Sequence, residues 1–172
     1  MRRITIVAVF IAIPFTQAFA LDLPARKPGL WEISMTLAGG KIPPRTSQNC
    51  IDATTDKAMS AMGSDMGSTC SKQDVQQSAD GMTVDSVCTF SGSTITTHAV
   101  MTGDFNSAYT VKTSSHAQGG AVGAAGRDST MTLEAKWLGA CKPDQKPGDI
   151  VMPGGFKMNV RDVDKLKALL PK

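Results

Sequence analysis

The stretch Lys27-Pro28-Gly29-Leu30-Trp31-Glu32-Ile33-Ser34-Met35-Thr36-Leu37 decides the fold class of this chain. Pro28-Gly29 is typical of a turn, and apolar and polar residues alternate after it. The apolar side of the alternation consists of Trp31, Ile33, Met35 and Leu37. A period of two predicts a strand with one buried face.

A second strand with the same pattern lies near the other end of the chain, over Met131–Trp137. Its tryptophan occupies an inward position, as Trp31 does in the first strand. We therefore predict that both indoles are buried in one sheet system. The fold class predicted is mainly β: an antiparallel meander forming a small barrel or sandwich, with one short internal helix and one C-terminal helix.

Turn residues divide the middle of the chain into further strands. Asp80-Gly81, Ser91-Gly92-Ser93 and Gly103-Asp104 are typical of hairpin turns. A three-residue turn at Ser91–Ser93 and a two-residue turn at Gly103-Asp104 place His98 opposite Tyr109 on the inward face. The inward residues expected to contact a ligand are Phe90, His98, Phe105 and Tyr109. Residues 114–128, rich in glycine, alanine and serine, are predicted to be a flexible loop.

Two helices are predicted. Residues 52–63 begin with capping residues and end at a glycine. Residues 159–172 carry an apolar stripe that includes Val160, Val163 and Leu166, which predicts an amphipathic helix that docks on the domain or grips a partner. Between the β-rich domain (21–141) and this helix, residues 142–158 contain three prolines and three glycines and are interpreted as a linker.

Residues 1–20 are typical of a secretory signal peptide. A charged start (Arg2 and Arg3) precedes an apolar segment and the small-x-small sequence Ala18-Phe19-Ala20. The apolar segment is too short for a membrane span. Export to the periplasm is therefore expected. Without Arg2 and Arg3, 16 of the 18 basic residues remain, against 15 acidic residues. This nearly balanced charge argues against a nucleic-acid partner.

Four cysteines in an exported chain predict two disulfides. Three pairings are possible, and we expect Cys50–Cys141 with Cys70–Cys88. The first pair would join the ends of two strands, and the second would flank the Asp80-Gly81 turn. A strict two-residue turn there places Cys88 opposite Gln73, so the second bridge requires a bulge or a longer loop.

Catalytic chemistry finds little support in the sequence, and no enzyme is predicted. A core histidine bonded to a hydroxyl is the more frequent role for His98, and His116 falls in the predicted loop. Met59, Met62 and Met66 have the soft ligands that copper(I) prefers. Methionine at helical spacing is, however, more often core filler, and no cofactor is expected.

The chain resembles a family of exported proteins of Gram-negative bacteria, domain of unknown function thirty-six seventeen. The resemblance lies in Lys27–Glu32, in Cys50-Ile51 before a short helix, in Cys70 and Cys88, in Gly103-Asp104, and in Trp137–Cys141. It covers about residues 27–141. The resemblance implies a periplasmic β-rich domain with two disulfides, and it implies no activity and no site residues.

The function expected from the sequence is a non-enzymatic envelope protein that binds a small apolar or amphipathic ligand or a protein partner. A small barrel can hold one ligand. The alternative is a structural or stress-related periplasmic protein with a filled core. A pocket of a few hundred Å³ favours the first reading, and a filled interior favours the second.

Overall fold

The computed structural model describes residues 24–39, 43–64, 69–79, 81–120 and 127–162. The elements in chain order are β1 (Gly29–Leu37), β2 (Arg45–Ile51), α1 (Ala53–Ser64), β3 (Thr69–Ser78), β4 (Gly81–Phe90), β5 (Ser93–Asp104), β6 (Ala108–Gly119), β7 (Arg127–Gly139), β8 (Asp149–Val151) and β9 (Lys157–Asn159). Residues 160–162 form a further helical turn. None of the helices in the described ranges has the length and apolar character needed to cross a membrane.

The nine strands form one antiparallel sheet in the order β3-β4-β5-β6-β7-β1-β2-β8-β9. The mainly β, antiparallel fold class is confirmed. The middle of the chain is a meander of consecutive hairpins, and β1 returns to pair with β7. The sheet is open, since β3 and β9 form its two edges.

One face of the sheet carries the core, and we call it the inner face. Strand pairing and alternation place Trp31, Ile33 and Ala135 there, where they form a buried cluster with Ile51. Met59 of α1 packs against this cluster, so the helix covers the inner face beside β1 and β2. A second buried cluster on the same face contains Met82, Val84 and Ala99. The opposite, outer face is rich in threonine and charged side chains.

The two tryptophans are direct register partners on β1 and β7. Trp31 is fully buried, as predicted. Trp137 is only half-buried, so the prediction is wrong for this residue. Its indole lies beneath Lys27, whose Nζ is 3.7 Å from the ring centroid, and it donates a hydrogen bond to the Pro28 carbonyl. The segment before β1 thus covers Trp137 incompletely.

Helix α1 begins with a reciprocal cap, in agreement with the predicted helix over 52–63. The Thr55 N–H donates to Asp52 Oδ1 at 2.7 Å, and the Asp52 N–H donates to Thr55 Oγ1 at 2.9 Å. These bonds satisfy backbone donors that a helix start leaves free. The backbone and side-chain hydrogen bonds from Thr55 lower the pKa of the Asp52 carboxyl.

The predicted turn at Ser91–Ser93 is one residue too long. Phe90 pairs directly with Ser93, and Ser91 and Gly92 alone form the turn. Both have positive φ, 47° and 77°, as a type I′ hairpin turn requires. The register of β5 against β4 is therefore shifted by one residue, and His98 lies opposite Asp85 on the outer face.

The predicted turn at Gly103-Asp104 is also wrong, because β5 continues to Asp104, which pairs with Ala108. The turn consists of the three residues after Asp104. The Asp104 carboxylate accepts hydrogen bonds from the Asn106 N–H at 2.8 Å and from the Ser107 hydroxyl at 2.9 Å. These bonds lower the pKa of Asp104. An aspartate that bonds to the backbone two residues on stabilises a turn after it. His98 consequently faces Ser114, and not Tyr109.

Most of the predicted loop over 114–128 is strand. β6 continues to Gly119, and β7 begins at Arg127, so His116 pairs with Asp128 across two strands. Residues 121–126 lie outside the described residues. The sequence concealed these strands because both of their faces are polar or small here, which removes the alternation that marks a half-buried strand.

The predicted linker over 142–158 contains β8 and β9, which extend the sheet beyond β2. Asn49 pairs with Ile150, and the Gly148 N–H donates to the Cys50 carbonyl at 2.8 Å. Three-residue strands between prolines and glycines leave no periodic signal. The predicted helix over 159–172 lies outside the described residues from residue 163 onward.

Both predicted disulfides are present, Cys50–Cys141 and Cys70–Cys88. The second bridge is made possible by a bulge in β3, one of the two alternatives that the sequence requires. Ser78 pairs with Gly81 and Lys72 with Val87, and the register then shifts at Ser71, so that Cys70 lies opposite Cys88.

Candidate functional site

A pocket of about 280 Å³ lies on the inner face where α1, β1 and β6 meet. We call it the inner-face pocket. Its lining includes Arg26, Ile33, Asn49, Met59, Phe105, Tyr109 and Leu133. Aliphatic and aromatic side chains form most of its wall, with a few polar groups among them. This composition is typical of sites for small apolar molecules.

A buried ion pair borders the pocket. Arg26 Nε lies 2.7 Å from Asp56 Oδ1, and the Arg26 backbone N–H donates to Asp56 Oδ2 at 2.8 Å. Only 10% and 6% of the two side chains are exposed. Asp56 occupies the first turn of α1, where the helix dipole stabilises a carboxylate. The pair fixes the chain before β1 to the helix that covers the inner face.

The aromatic wall of the pocket is centred on Tyr109. Its ring stacks on Phe105 at 4.4 Å between centroids and lies 5.7 Å from the Trp31 ring at a tilt. Burial raises the pKa of the Tyr109 hydroxyl, against the lowering effect of Arg26. The hydroxyl therefore remains neutral well above physiological pH.

Asn49 supplies the unusual polar atom of the pocket. The residue is 8% exposed, and its Oδ1 is buried with no hydrogen-bond partner among the residues that the structure describes. Backbone bonding of β2 to β1 and β8 holds Asn49 in place, opposite Trp31 on one side and Ile150 on the other. Buried polar atoms are nearly always bonded, so an exception calls for an explanation.

Of the four residues expected to face a ligand, the structure brings together two. Phe105 and Tyr109 both line the inner-face pocket. Phe90 lies at the far end of β4 and is 43% exposed. His98 lies on the outer face, where its Nδ1 is 2.7 Å from Asp85 Oδ1.

The second histidine repeats the arrangement of the first. His116 Nδ1 lies 2.7 Å from Asp128 Oδ1, again across neighbouring strands of the outer face. Both pairs are substantially exposed to solvent. In the part of the chain that the structure describes, no three His, Cys, Asp or Glu residues come together as a metal site would require.

The methionines proposed for copper(I) are only partly described. Met59 packs against the buried cluster, and its sulfur lies 3.9 Å from Arg26 Nη2. The side chain of Met62 and the whole of Met66 lie outside the described residues. Met59 thus acts as core filler, and copper binding stays a hypothesis.

A larger depression, about 440 Å³, lies on the outer face around Glu32, Glu134 and Lys136. Lys136 is the register partner of Glu32, and Glu134 that of Ser34. Charged side chains on an open, solvated surface of this kind serve mainly to keep the sheet soluble.

Sequence reasoning missed Arg26 and Asn49. Arg26 directly precedes the Lys27-Pro28-Gly29 turn, and Asp56 falls in a helical first turn, but no local pattern links residues 30 positions apart. Asn49 sits beside Cys50 in a strand of mixed polarity, where its burial depends on partners that come from β1 and β8.

Comparison with known proteins finds one family. The sequence model of the family described as protein of unknown function (DUF3617) matches residues 26–141. This confirms the resemblance in the sequence and covers the chain from Arg26 to the cysteine that bridges back to β2. No curated protein and no solved structure shows a significant match.

Proposed function

Because the chain belongs to the DUF3617 family, whose description states no activity, we propose a function from the geometry: an exported, non-enzymatic protein that binds a small apolar or amphipathic molecule in the inner-face pocket. The observation that carries this proposal is the pocket itself, about 280 Å³ with an apolar wall. A stable domain of this size packs its core closely. An apolar space of this volume beside a buried ion pair is suited to a ligand.

Export is part of the proposal and has two supports. The two disulfides, with no free cysteine among the described residues, are compatible with an oxidising compartment such as the periplasm. The first 20 residues have the composition of a signal peptide.

The test is native mass spectrometry of the protein purified from the periplasm of its own host. We expect a small adduct that disappears on denaturation. Val111→Phe, which fills the pocket from β6, should abolish the adduct. Val87→Phe is the matched control, because Val87 lies on the outer face of β4 and the same volume is added away from the pocket. Protein without any adduct, or equal loss in both variants, would contradict binding at this site.

The alternative is a structural or stress-related envelope protein whose core is filled. The fully buried Trp31 and Ile51 favour it at the β1–β2 end of the inner face. Under this alternative, Val111→Phe changes stability but no ligand is found in either protein.

A further inference from the structure

The unpaired Asn49 Oδ1 indicates what the polar end of a ligand must provide. The atom is an acceptor in a site that is otherwise mostly apolar, and it has no partner within the described residues. Leaving a buried acceptor without a bond is costly, and a donor that reaches it recovers that cost. A molecule in this pocket is therefore favoured if it carries an O–H or N–H group.

The charges around the pocket favour a ligand whose donor group is neutral. Arg26 and Asp56 already compensate each other at 2.7 Å, with little exposure of either side chain. Of the two, Arg26 lines the pocket. A cationic ligand would meet its like charge, and an anionic ligand would meet the Asn49 acceptor and a guanidinium that Asp56 already neutralises. Each would be buried without a counter-charge of its own, which is strongly unfavourable.

The volume of the pocket favours a small molecule. At about 280 Å³, it lies near the lower end of the range found for small-molecule sites. Ile33, Val111 and Leu133 line it, and they favour an aliphatic body.

We propose that the inner-face pocket takes a neutral aliphatic molecule whose hydroxyl or amide N–H donates a hydrogen bond to Asn49 Oδ1. This proposal rests on the proposed function, and it names the chemical class of the ligand for that same site.

The experiment compares three probes of similar length: 1-octanol, its methyl ether and octanoate. The alcohol is a neutral donor, the ether only an acceptor, and octanoate an anion. Each is titrated into the mature protein, and binding is followed by NMR shifts of the Trp31 and Tyr109 signals. We expect 1-octanol to bind roughly five-fold more tightly than the ether, the factor that one net hydrogen bond supplies. Octanoate should bind most weakly.

Two variants assign the preference to the proposed atom. Asn49→Leu keeps nearly the same side-chain shape and removes the acceptor, so the alcohol and the ether should bind with equal affinity. Gln48→Leu is the control, since Gln48 neighbours Asn49 on β2 but points to the outer face, where it accepts a hydrogen bond from Lys142 Nζ. It should retain the preference for the alcohol. Native tryptophan emission verifies that each variant is folded.

The outcomes separate the two proposals. If none of the probes binds, the proposed function fails, and the inference fails with it. If all three bind with equal affinity, the pocket is a binding site but the inference is wrong. A preference for the ether or for octanoate would also overturn it, since it would show a donor or a positive charge facing the pocket. Loss of the preference in Gln48→Leu as well would remove Asn49 from the explanation.

Discussion

Trp31 is the residue on which the inner face depends most. Its side chain is fully buried, its indole N–H donates to the Lys27 carbonyl at 2.8 Å, and its ring contacts Tyr109. Trp31→Ala should lower the free energy of unfolding by about 3–5 kcal/mol, as for other large-to-small changes in cores. Denaturant unfolding measures this. Trp137→Ala provides the comparison and should cost less because its indole is half-buried; equal losses would contradict the asymmetry.

The buried ion pair allows a second test at the level of single residues. Arg26→Met should lower the free energy of unfolding by about 3–5 kcal/mol, because it leaves the Asp56 carboxylate buried without its partner. Adding Asp56→Leu should recover most of that loss, since a buried pair replaced by apolar side chains is often neutral. Denaturant unfolding of the double variant and of the two single variants measures this recovery. A double variant as unstable as Arg26→Met would show that Asp56 supports α1 by other means.

The contrast between Trp31 and His98 shows what the sequence can predict about the position of a single residue. The position of Trp31 follows from alternation within its own strand, which is a local property. The position of His98 depends on the lengths of two turns, and each was misjudged: Ser91-Gly92 by one residue and the turn after Gly103 by more. A shift of one residue moves every side chain of a strand to the other face.

Among the strands, the packing of β1 beside β7 explains why β1 begins with a glycine. Gly29 has a φ of +131°, and a Cβ there would collide with the Gly139 carbonyl oxygen and lie 2.7 Å from Trp137 Nε1. The close approach of β1 to the end of β7 therefore excludes a side chain.

Gly29→Ala should consequently lower the free energy of unfolding by about 2–4 kcal/mol, combining backbone strain with overpacking. Gly39→Ala is the matched control. Gly39 also has positive φ, +68°, but nothing lies within 4 Å of the added Cβ, so only about 1 kcal/mol of strain is expected. Thermal and denaturant unfolding of the two variants give the comparison. A Gly29 variant no worse than the Gly39 variant would place the strands further apart.

Elements were predictable where one face is apolar and the other polar. β1 and the C-terminal half of β7 have this alternation, and α1 is marked by its cap. The last residues of β6 and the first residues of β7 lack this alternation. Ser115 and Ala117 occupy inner positions there, and neither has a bulky side chain. β8 and β9 were missed for another reason. The Cys50–Cys141 bridge returns the chain to the edge of β2, and this tertiary constraint lets three-residue segments pair.

At the level of the whole molecule, the inner-face pocket could be predicted only in part. The register that predicts Phe105 and Tyr109 as inward residues is wrong. Tyr109 is inward in either register, and Phe105 stacks on its ring from the turn after β5. The polar groups Arg26 and Asn49 line the site, and Asp56 holds Arg26 in place. The packing of α1 on β1 and β2 brings these three residues together. Long-range contacts of this kind have no counterpart in local sequence.

The two disulfides differ in the length of chain that they close. Cys50 and Cys141 are 91 positions apart, and their bridge ties β2 to the residues that follow β7. Cys70 and Cys88 are 18 positions apart, and their bridge joins the neighbouring strands β3 and β4. On the chain-entropy model, the first stabilises by about 4–5 kcal/mol and the second by about 3 kcal/mol. Replacing Cys50 and Cys141 by alanine should therefore cost more than replacing Cys70 and Cys88. The difference is increased by the complete burial of Cys50.

Urea unfolding of the two double variants gives the comparison, and a non-reducing peptide map of the native protein verifies the pairing. A Cys50–Cys70 or Cys88–Cys141 link would refute both the pairing and the strand order. A larger loss on removing the Cys70–Cys88 bridge would show that β3, at the open edge of the sheet, contributes more to the stability of the domain than the closure of β8 and β9 onto β2. Because the longer span includes α1 and every strand from β3 to β7, we expect the opposite order.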